Sequence, residues 1–199
     1  AGLVILGCGL FTVLSSLSYF KKNSLSGTEY YSLLLFAASG MLLLTMTREL
    51  ITAFIALEIM SLAIYILVGY DRNNVRSTEA LMKYLILGAF AGAFLTMGSA
   101  FVFGAAGSTK FHLIGKYVAT SGFTTSPALL AGSFFILVAF LFKAAAFPFH
   151  AWVLDVYDGA SMPITGFMVT ALKTAIFAVF ANFLLSDSGL QQGWVGFLF

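Results

Sequence analysis

Residues 140–163 decide how this chain folds, and they are FLFKAAAFPFHAWVLDVYDGASMP. Lys143 lies inside an apolar run, and a proline, a histidine and a tryptophan follow it before the run opens at Asp155. A second apolar run then begins and contains its own isolated lysine, Lys173. A cation at the centre of a bilayer costs about 2.5–3.5 kcal/mol on insertion scales. Both lysines therefore require a structural or a functional explanation.

The composition of the whole chain indicates a membrane protein. Hydrophobic residues make up 60% of the 199 residues, charged residues make up only 9%, and the mean hydropathy is +0.99. A soluble domain has about 25% charged residues. The net charge of +2 is too small to indicate nucleic-acid binding. We therefore expect the lipid bilayer as a partner, and no nucleic acid.

Six apolar segments approach the length of about 20 residues that a membrane-spanning helix needs. A longer polar stretch, residues 105–127, separates the fourth segment from the fifth. No alternation typical of barrel strands is present. The sequence predicts an all-α fold, a polytopic transmembrane helix bundle of about six spans, with a helix broken near Pro148. The six predicted spans are residues 2–20, 30–46, 50–69, 79–104, 128–149 and 164–185.

Local signals support helices at several of these segments. Thr78 is predicted to cap the fourth span, with Glu79 in its first turn opposite the positive end of the helix dipole. Ser161, two residues before a proline, suits the start of the sixth span. Gly88 and Gly92 have the spacing of a small-xxx-small pair, which favours close helix packing rather than chemistry.

The residues that normally hold cofactors are missing from the sequence. Cys8 is its only cysteine, which excludes an internal disulfide and a cysteine-ligated metal cluster. We find no dinucleotide-binding glycine pattern, no phosphate loop and no histidine pair at haem or metal spacing. We therefore expect no cofactor and no metal on this chain.

The two ends of the sequence suggest a piece of a longer protein. The chain has no initiating methionine, begins inside an apolar run and stops as another begins. We expect residues 1–199 to be a single membrane domain within a longer chain.

Four ionisable residues fall inside the predicted spans: Glu58, Lys83, Lys143 and Lys173. Glu58 is eight residues after the start of its span, which places it about 12 Å along the helix and near the bilayer centre. Lys173 is at a similar depth. Such residues are expected to face the bundle interior, a partner charge or a hydrated cavity.

Each of these residues also has a purely structural interpretation. Lys83 follows Glu79 by four residues, so the two are able to form an ordinary pair on a helix surface. Glu58 and Lys143 are able to form a static buried ion pair that fixes helix packing. Lys173 has no acid within one helical turn, so a structural role explains it less easily.

The residues after the predicted break are harder to assign. His150 follows Pro148 by two residues and is either a proton relay, since histidine titrates near neutrality, or an interfacial polar residue. Asp155 and Asp158 are predicted at the membrane surface, where they are solvated or cap a helix. Trp152 is predicted in the aromatic belt of the membrane interface.

Several stretches, taken together, resemble a known family. They are similar to the subunit N family of the proton-translocating NADH:quinone oxidoreductase, the antiporter-like membrane subunits of respiratory complex I, over about residues 30–185. The stretches are LEIMSLAIYILVGY (57–70), STEALMKYLILGAFAGAFLTMGSAFVFGAAGS (77–108), LFKAAAFPFHAWVLDVYDGASMPIT (141–165) and FMVTALKTAIF (167–177).

The resemblance implies roles for the ionisable residues. Glu58 matches a glutamate of the family's fifth transmembrane helix, and Lys83 matches a lysine of the sixth. Lys143 matches the lysine of the broken seventh helix, Lys173 that of the eighth, and His150 a histidine that follows the seventh-helix lysine. All five are thereby implied in proton translocation. Movement of Glu58 toward or away from Lys143 would switch whether the lysine holds a proton.

The resemblance also implies a setting. Residues 28–186 would form one five-helix antiporter-like repeat, coupled to redox chemistry on other subunits. The partners would be the other complex I membrane subunits, protons and internal water. A multi-pass location in the inner (plasma) membrane of a bacterium is favoured over an organelle inner membrane.

Two other functions remain open at this stage. One is a subunit of a multisubunit cation/proton antiporter, whose large subunits resemble the same family. The other is a structural membrane component whose buried charges only lock helices together.

Overall fold

The computed structural model describes residues 1–23, 27–122 and 126–185, and these residues are almost entirely helical. Within these described residues, six segments are long and apolar enough to cross a membrane: Gly2–Lys21, Thr28–Met46, Leu50–Val68, Val75–Ala106, Pro127–Ala144 and Met162–Leu185. The predicted all-α bundle of about six spans is confirmed. The helices are α1 Gly2–Asn23, α2 Thr28–Met46, α3 Leu50–Val68, α4 Val75–Ala106, α5 Phe111–Ser121, α6 Pro127–Ala144, α7 Ala151–Gly159, α8 Met162–Phe167 and α9 Lys173–Leu185, with a π-helical turn Met168–Leu172 before α9.

The helix α3 is the most buried of the six candidate spans. It packs along α2 on one side and against α4 on the other, and α4 in turn packs along α6. The segment α8–α9 closes the bundle against α1, α2 and α6. A polar residue on the inner face of α3 is therefore surrounded by other helices rather than by lipid.

Glycines allow α4 and α6 to approach closely. A Cβ atom at Gly98 would lie 2.7 Å from the carbonyl oxygen of Gly132, and a Cβ at Gly132 would lie 2.8 Å from that of Gly98. Neither position has room for a larger side chain. Small residues at such crossings are typical of membrane helix pairs, in which van der Waals contact drives association.

The fourth span begins earlier than the sequence signals predict. Asn74 is its N-cap residue, and the Asn74 side chain accepts a hydrogen bond from the N–H of Arg76 at 3.0 Å. Thr78 therefore lies inside α4, and the predicted Thr78 cap is wrong. Asparagine is as good a cap as threonine or better, and here it starts the helix one turn sooner. Glu79 consequently lies in the second turn.

The stretch predicted as a polar break, residues 105–127, contains the helix α5. Phe111, Ile114 and Val118 are buried on one face of α5, at the spacing of an amphipathic helix. Its start is anchored by backbone pairing, because the N–H of Phe111 donates to Arg48 O and the N–H of Leu50 donates to Thr109 O, both at 3.0 Å. The prediction failed because α5 is too short and too polar to resemble a span.

The predicted break near Pro148 is confirmed, and it begins at Ala145. The helix α6 ends at Ala144, and Ala145 has a left-handed conformation with φ of 60°. The N–H of Ala146 then donates to the carbonyl oxygen of Leu141 at 2.9 Å, which closes the helix end. A left-handed conformation costs about 1–2 kcal/mol for a residue other than glycine. The surrounding packing must compensate for that cost.

The short helix α7 folds back onto the start of α4. Trp152, Val156 and Gly159 are buried on one face of α7. The hydroxyl of Ser77 donates to the carbonyl oxygen of Gly159 at 2.7 Å, and a Cβ at Gly159 would overlap Ala80 of α4. This contact fixes the position of the chain that follows the break.

The sixth span begins where the sequence predicts. Ser161 is the N-cap residue of α8, with a proline in the first two helical positions. The π-helical turn immediately precedes Lys173. Single π-helical turns inside α-helices are frequent at functional sites. The predicted five-helix repeat, residues 28–186, stays a prediction, and residue 186 is outside the described residues.

Candidate functional site

Lys143 is the centre of the candidate site. It lies in the last turn of α6 and is 1% exposed. Its ammonium donates hydrogen bonds to the hydroxyl of Ser61 at 2.8 Å and to that of Tyr65 at 3.1 Å. The Nζ atom also lies 5.4 Å from the centre of the Tyr65 ring and 6.0 Å from that of Tyr84. The lysine is thus held by neutral oxygens and aromatic faces.

One face of α3 supplies the polar groups of this site. Glu58, Ser61 and Tyr65 are separated by three and four residues, so they lie above one another on the helix. Apart from Thr52 in its first turn, the rest of α3 is apolar, which explains why it is buried. The sequence analysis missed Ser61 and Tyr65. Their helical spacing from Glu58 was the signal that would have found them.

Glu58 and Lys143 are neighbours but form no direct ion pair within the described residues. The Glu58 carboxylate acts on Lys143 electrostatically. A buried ammonium is destabilised by the loss of water and stabilised by nearby negative charge. Burial and the charge of Glu58 therefore have opposing influences on the proton of Lys143, without the static contact that a structural ion pair requires.

The glycine pair on α4 makes room for the polar face of α3. A Cβ at Gly92 would lie 2.8 Å from Oε1 of Glu58, and a Cβ at Gly88 would overlap the hydroxyl of Tyr65. The sequence predicted that these glycines serve helix packing rather than chemistry. In the structure they face two polar groups of the site, so close packing is only part of their role.

Lys173 approaches the same site from the other side of the break. Its ammonium donates to the main-chain carbonyl oxygen of Lys143 at 3.2 Å and lies 5.3 Å from the centre of the Trp152 ring. The indole N–H of Trp152 donates to the carbonyl oxygen of Phe142 at 3.2 Å. The carbonyls at a helix C-terminus lack helical partners and carry the negative end of the dipole, which favours cations there.

Trp152 is not in an interfacial belt. It is 2% exposed and stacks on Tyr84, with ring centres 4.7 Å apart and an interplanar angle of 14°. Tyr84 in turn contacts Tyr65 edge to face, with ring centres 4.7 Å apart. The prediction of a surface tryptophan failed because the chain turns inward after the break. The result is a continuous aromatic wall from Lys143 to Lys173.

Lys83 occupies a different environment. Its side chain is 42% exposed, and its ammonium contacts a carboxylate oxygen of Asp155 at 2.6 Å and one of Glu79 at 2.8 Å. Arg76 and Asp158 form a longer ion pair nearby, at 3.7 Å. These residues line an open polar cleft of about 170 Å³ between α4 and α7.

The expected pair between Glu79 and Lys83 is therefore present, and Asp155 is a second partner. Asp155 was predicted as a surface residue, and it is exposed. Its contact with Lys83 spans 72 positions in the chain. No local sequence signal announces a pairing of that range.

His150 is a predicted site residue that lies at the surface. It is exposed at the N-terminal end of α7, and its ring lies 5.7 Å from that of the exposed Phe147. The structure brings Glu58, Lys143 and Lys173 together, and it leaves Lys83 and His150 at exposed positions. The predicted role of His150 as a proton relay stays a prediction.

The described residues contain no group of three histidine, cysteine, aspartate or glutamate side chains able to hold a metal ion. The polar groups that converge at the bundle centre are two amines, a carboxylate, two hydroxyls and the carbonyls of a helix end. This set suits the binding and transfer of a proton.

Comparison with known proteins identifies relatives of this chain. The family described as "NADH:quinone oxidoreductase/Mrp antiporter, TM" matches residues 47–198. NADH-quinone oxidoreductase subunit N of Gemmatimonas aurantiaca is 43% identical over 182 residues, which cover 92% of this chain and 35% of the relative. NADH-quinone oxidoreductase subunit N 1 of Herpetosiphon aurantiacus is 42% identical over 196 residues, covering 96% of this chain and 40% of the relative. The chain thus spans well under half the length of these curated relatives.

Solved structures give a consistent result. A chain of respiratory complex I from Thermus thermophilus, solved with bound aureothin, aligns with a TM-score of 0.74 and 37% identity, covering 91% of this chain and 38% of that one. A chain of the Mrp complex from a Dietzia species aligns with a TM-score of 0.66 over 80% of this chain and 30% of that one. At 23% identity, the Mrp likeness shows a shared fold only.

Proposed function

The chain belongs to the NADH:quinone oxidoreductase/Mrp antiporter family of membrane proteins, and we propose that it forms part of a subunit N that translocates protons in a bacterial NADH:quinone oxidoreductase. Sequence identity to named subunits N over more than nine tenths of the chain supports this assignment. The subunit would act as a translocase within the enzyme. NADH oxidation and quinone reduction would take place on other subunits.

The observation that carries the proposal is the environment of Lys143. Lys143, 1% exposed in the middle of a helix bundle, has no direct carboxylate partner among the described residues and is held by two hydroxyls. A lysine that only fixed helix packing would be expected to contact an acid directly, because an unpaired buried charge is strongly destabilising. Neutral acceptors are able to bind the ammonium and also tolerate the amine, so they permit a change of protonation state.

Glu58 would act as the switch for that change. Its negative charge favours the ammonium of Lys143, and its withdrawal or protonation leaves burial to favour the neutral amine. A coupled movement of charge elsewhere in the enzyme would then drive uptake and release of a proton at Lys143. This alternation is what a proton pump requires of an internal site.

The broken helix would provide the next step of the path. The main-chain carbonyl of Lys143, at the end of α6, contacts Lys173 directly, and irregular backbone at membrane depth usually lines a hydrated cavity. Lys173 would accept the proton that Lys143 releases, through internal water. His150 would serve as a relay nearer the surface, whereas Lys83 would chiefly hold α7 to α4 through its ion pairs.

The setting follows from the same relatives. The subunit would lie in the bacterial plasma membrane, beside the other membrane subunits of the enzyme, and residues 28–186 would be one repeat of it. This chain would carry no cofactor of its own. A cation/proton antiporter of the Mrp type is the alternative, and it is supported by fold alone.

The test changes Glu58 in the full-length subunit, assembled in the enzyme and reconstituted in vesicles. Glu58→Gln removes the charge but keeps the size, so we expect proton pumping to fall by about tenfold or more, the scale of a lost proton-transfer group. Glu58→Asp keeps the charge and shortens its reach, and partial pumping should survive. The measurement is the rate of acidification inside the vesicles during NADH oxidation.

Glu29→Gln is a suitable control, because Glu29 is an exposed carboxylate in the first turn of α2. It should pump at the parental rate. Equal pumping by the Gln and Asp variants of Glu58, in fully assembled enzyme, would show that the charge of Glu58 has no part in the mechanism.

A further inference from the structure

We propose that the Ser61 hydroxyl is the proton carrier between Lys143 and Glu58, and that the Tyr65 hydroxyl positions Lys143 for this transfer. The inference rests on the proposed function and adds the groups through which the central lysine exchanges its proton. Its starting point is the gap between the two ionisable residues. Lys143 contacts Ser61 and Tyr65, whereas the Glu58 carboxylate lies against Gly92, and the described residues show no direct ion pair between Glu58 and Lys143.

Ser61 has the geometry of an intermediate. It is fully buried, and its oxygen accepts a hydrogen bond from Lys143 at 2.8 Å. It also lies three residues after Glu58 on the same face of α3, where side chains are neighbours. A hydroxyl that accepts one hydrogen bond still carries a proton that it is able to donate. Ser61 therefore contacts the amine directly, lies about one helical turn from Glu58 along α3, and is able both to accept and to donate a proton.

The transfer balances without any other reactant. An N–H bond of the Lys143 ammonium breaks as an O–H bond forms on Ser61. The original O–H bond of Ser61 breaks as an O–H bond forms on the Glu58 carboxylate. The products are a neutral amine, a carboxylic acid and an unchanged serine, and the reverse steps reload the lysine.

The glycines of α4 define the resting position of Glu58. In the structure its carboxylate lies against Gly92, where any side chain would lie 2.8 Å from Oε1. Rotation about the side-chain torsions of Glu58 brings the carboxylate from Gly92 to Ser61, one turn further along α3. Contact with Ser61 opens the relay, and the position on Gly92 closes it.

Tyr65 holds the other end of the relay. Its hydroxyl accepts from Lys143 at 3.1 Å, and it presses against Gly88, so it has little freedom to move. With two of its three ammonium hydrogens directed to Ser61 and Tyr65, the lysine keeps one orientation. Tyr65 is therefore a positioning residue, whereas Ser61 touches the transferred proton.

The test compares Ser61→Ala with Ser61→Thr in the full-length subunit, within the assembled enzyme in vesicles. Alanine removes the hydroxyl, and we expect the pumping rate to fall by about tenfold or more. Threonine restores a hydroxyl at the same carbon, and pumping should recover to within about threefold of the parent, since only the added methyl group differs. Ser61→Gly also lacks the hydroxyl, carries the same expectation as alanine, and replaces it if the alanine variant does not assemble.

Ser99→Ala is the matched control. Ser99 is a partly buried serine of α4 whose hydroxyl donates to the carbonyl oxygen of Leu95 in its own helix. Its loss should leave pumping unchanged.

The outcomes separate the relay from the function on which it rests. If Lys143→Met abolishes pumping while Ser61→Ala pumps at the parental rate, the relay is wrong and the proposed function stands. If alanine and threonine reduce pumping equally, the hydroxyl is irrelevant and the relay is again wrong. If Lys143→Met itself pumps at the parental rate, the proposed function is wrong, and the relay that depends on it is wrong as well. Loss with alanine or glycine and recovery with threonine support the relay.

Discussion

Lys143 and Lys83 are the same side chain in two opposite environments. Lys83 lies at an exposed end of the bundle and contacts two carboxylates, whereas Lys143 is buried and contacts two hydroxyls. Direct carboxylates keep a lysine charged at all times. Hydroxyls bind a lysine in either protonation state, so a more distant charge determines which state the lysine adopts. The difference suggests that Lys83 holds α7 to α4 and that Lys143 exchanges protons.

The comparison extends to the elements that carry each lysine. Lys83 joins two helices at their surface, and the buried contact between Ser77 and Gly159 fixes the same two helices independently. Lys143 stands at the end of a broken helix, where no other group replaces it. When Lys83 is changed, the contact between Ser77 and Gly159 still holds α7 to α4. A change at Lys143 leaves no equivalent group in its place.

The largest expected effect is the loss of Lys143. In Lys143→Met the chain length is kept and the exchangeable proton is removed, so we expect pumping to fall by about tenfold or more. Lys83→Met removes an exposed ion-paired group, and pumping should change by no more than about twofold, because exposed ion pairs contribute little. The measurement is vesicle acidification by the assembled enzyme, with assembly checked by native gel. Equal losses of pumping in Lys143→Met and Lys83→Met would contradict the assignment of different roles to the two lysines.

An intermediate effect is expected at Lys173. Within the described residues its ammonium forms no ion pair with a carboxylate, and it binds the main-chain carbonyl oxygen of Lys143 at the end of α6. Lys173→Met should lower pumping several-fold while the subunit still assembles. Trp152→Phe keeps a ring under the ammonium and loses the N–H that binds Phe142, so its loss should be smaller; phenylalanine is also a weaker partner for a cation. Both are measured as pumping per assembled complex. If pumping and assembly fall in parallel for Lys173→Met, the residue is structural.

The sequence predicted those parts of the molecule that local physics determines. Hydropathy located the six spans, Pro148 located the break within a few residues, and Ser161 located the start of the last span. The isolated charges at Glu58 and Lys143 followed from the cost of burying them. Each of these signals depends only on a short stretch of the sequence.

Long-range geometry accounts for what the sequence did not predict. The contact of Lys143 with Ser61 and Tyr65 depends on how α3 and α6 are rotated about their axes, and a serine in an apolar helix is an ordinary residue until that rotation is known. The pairing of Lys83 with Asp155 depends on α7 folding back after the break. A hydropathy pattern fixes neither.

The smallest expected effects lie within the Lys83 cluster, and they test whether it is an interhelical clasp. Glu79→Gln removes a partner within the same helix, and Asp155→Asn removes a partner on another helix. Either change leaves Lys83 with one carboxylate, so each should alter pumping by less than about twofold. Asp155→Asn should have the larger effect on thermal stability of the assembled enzyme, because of these two partners Asp155 is the one that connects α7 to α4, whereas a pair four residues apart in one helix adds little to tertiary structure. High salt should narrow that difference in thermal stability, since exposed charges are screened.

A large pumping loss in both variants at unchanged stability would instead make Lys83 a step of the proton path. Lys83 and Lys143 would then differ in their position along that path rather than in their role.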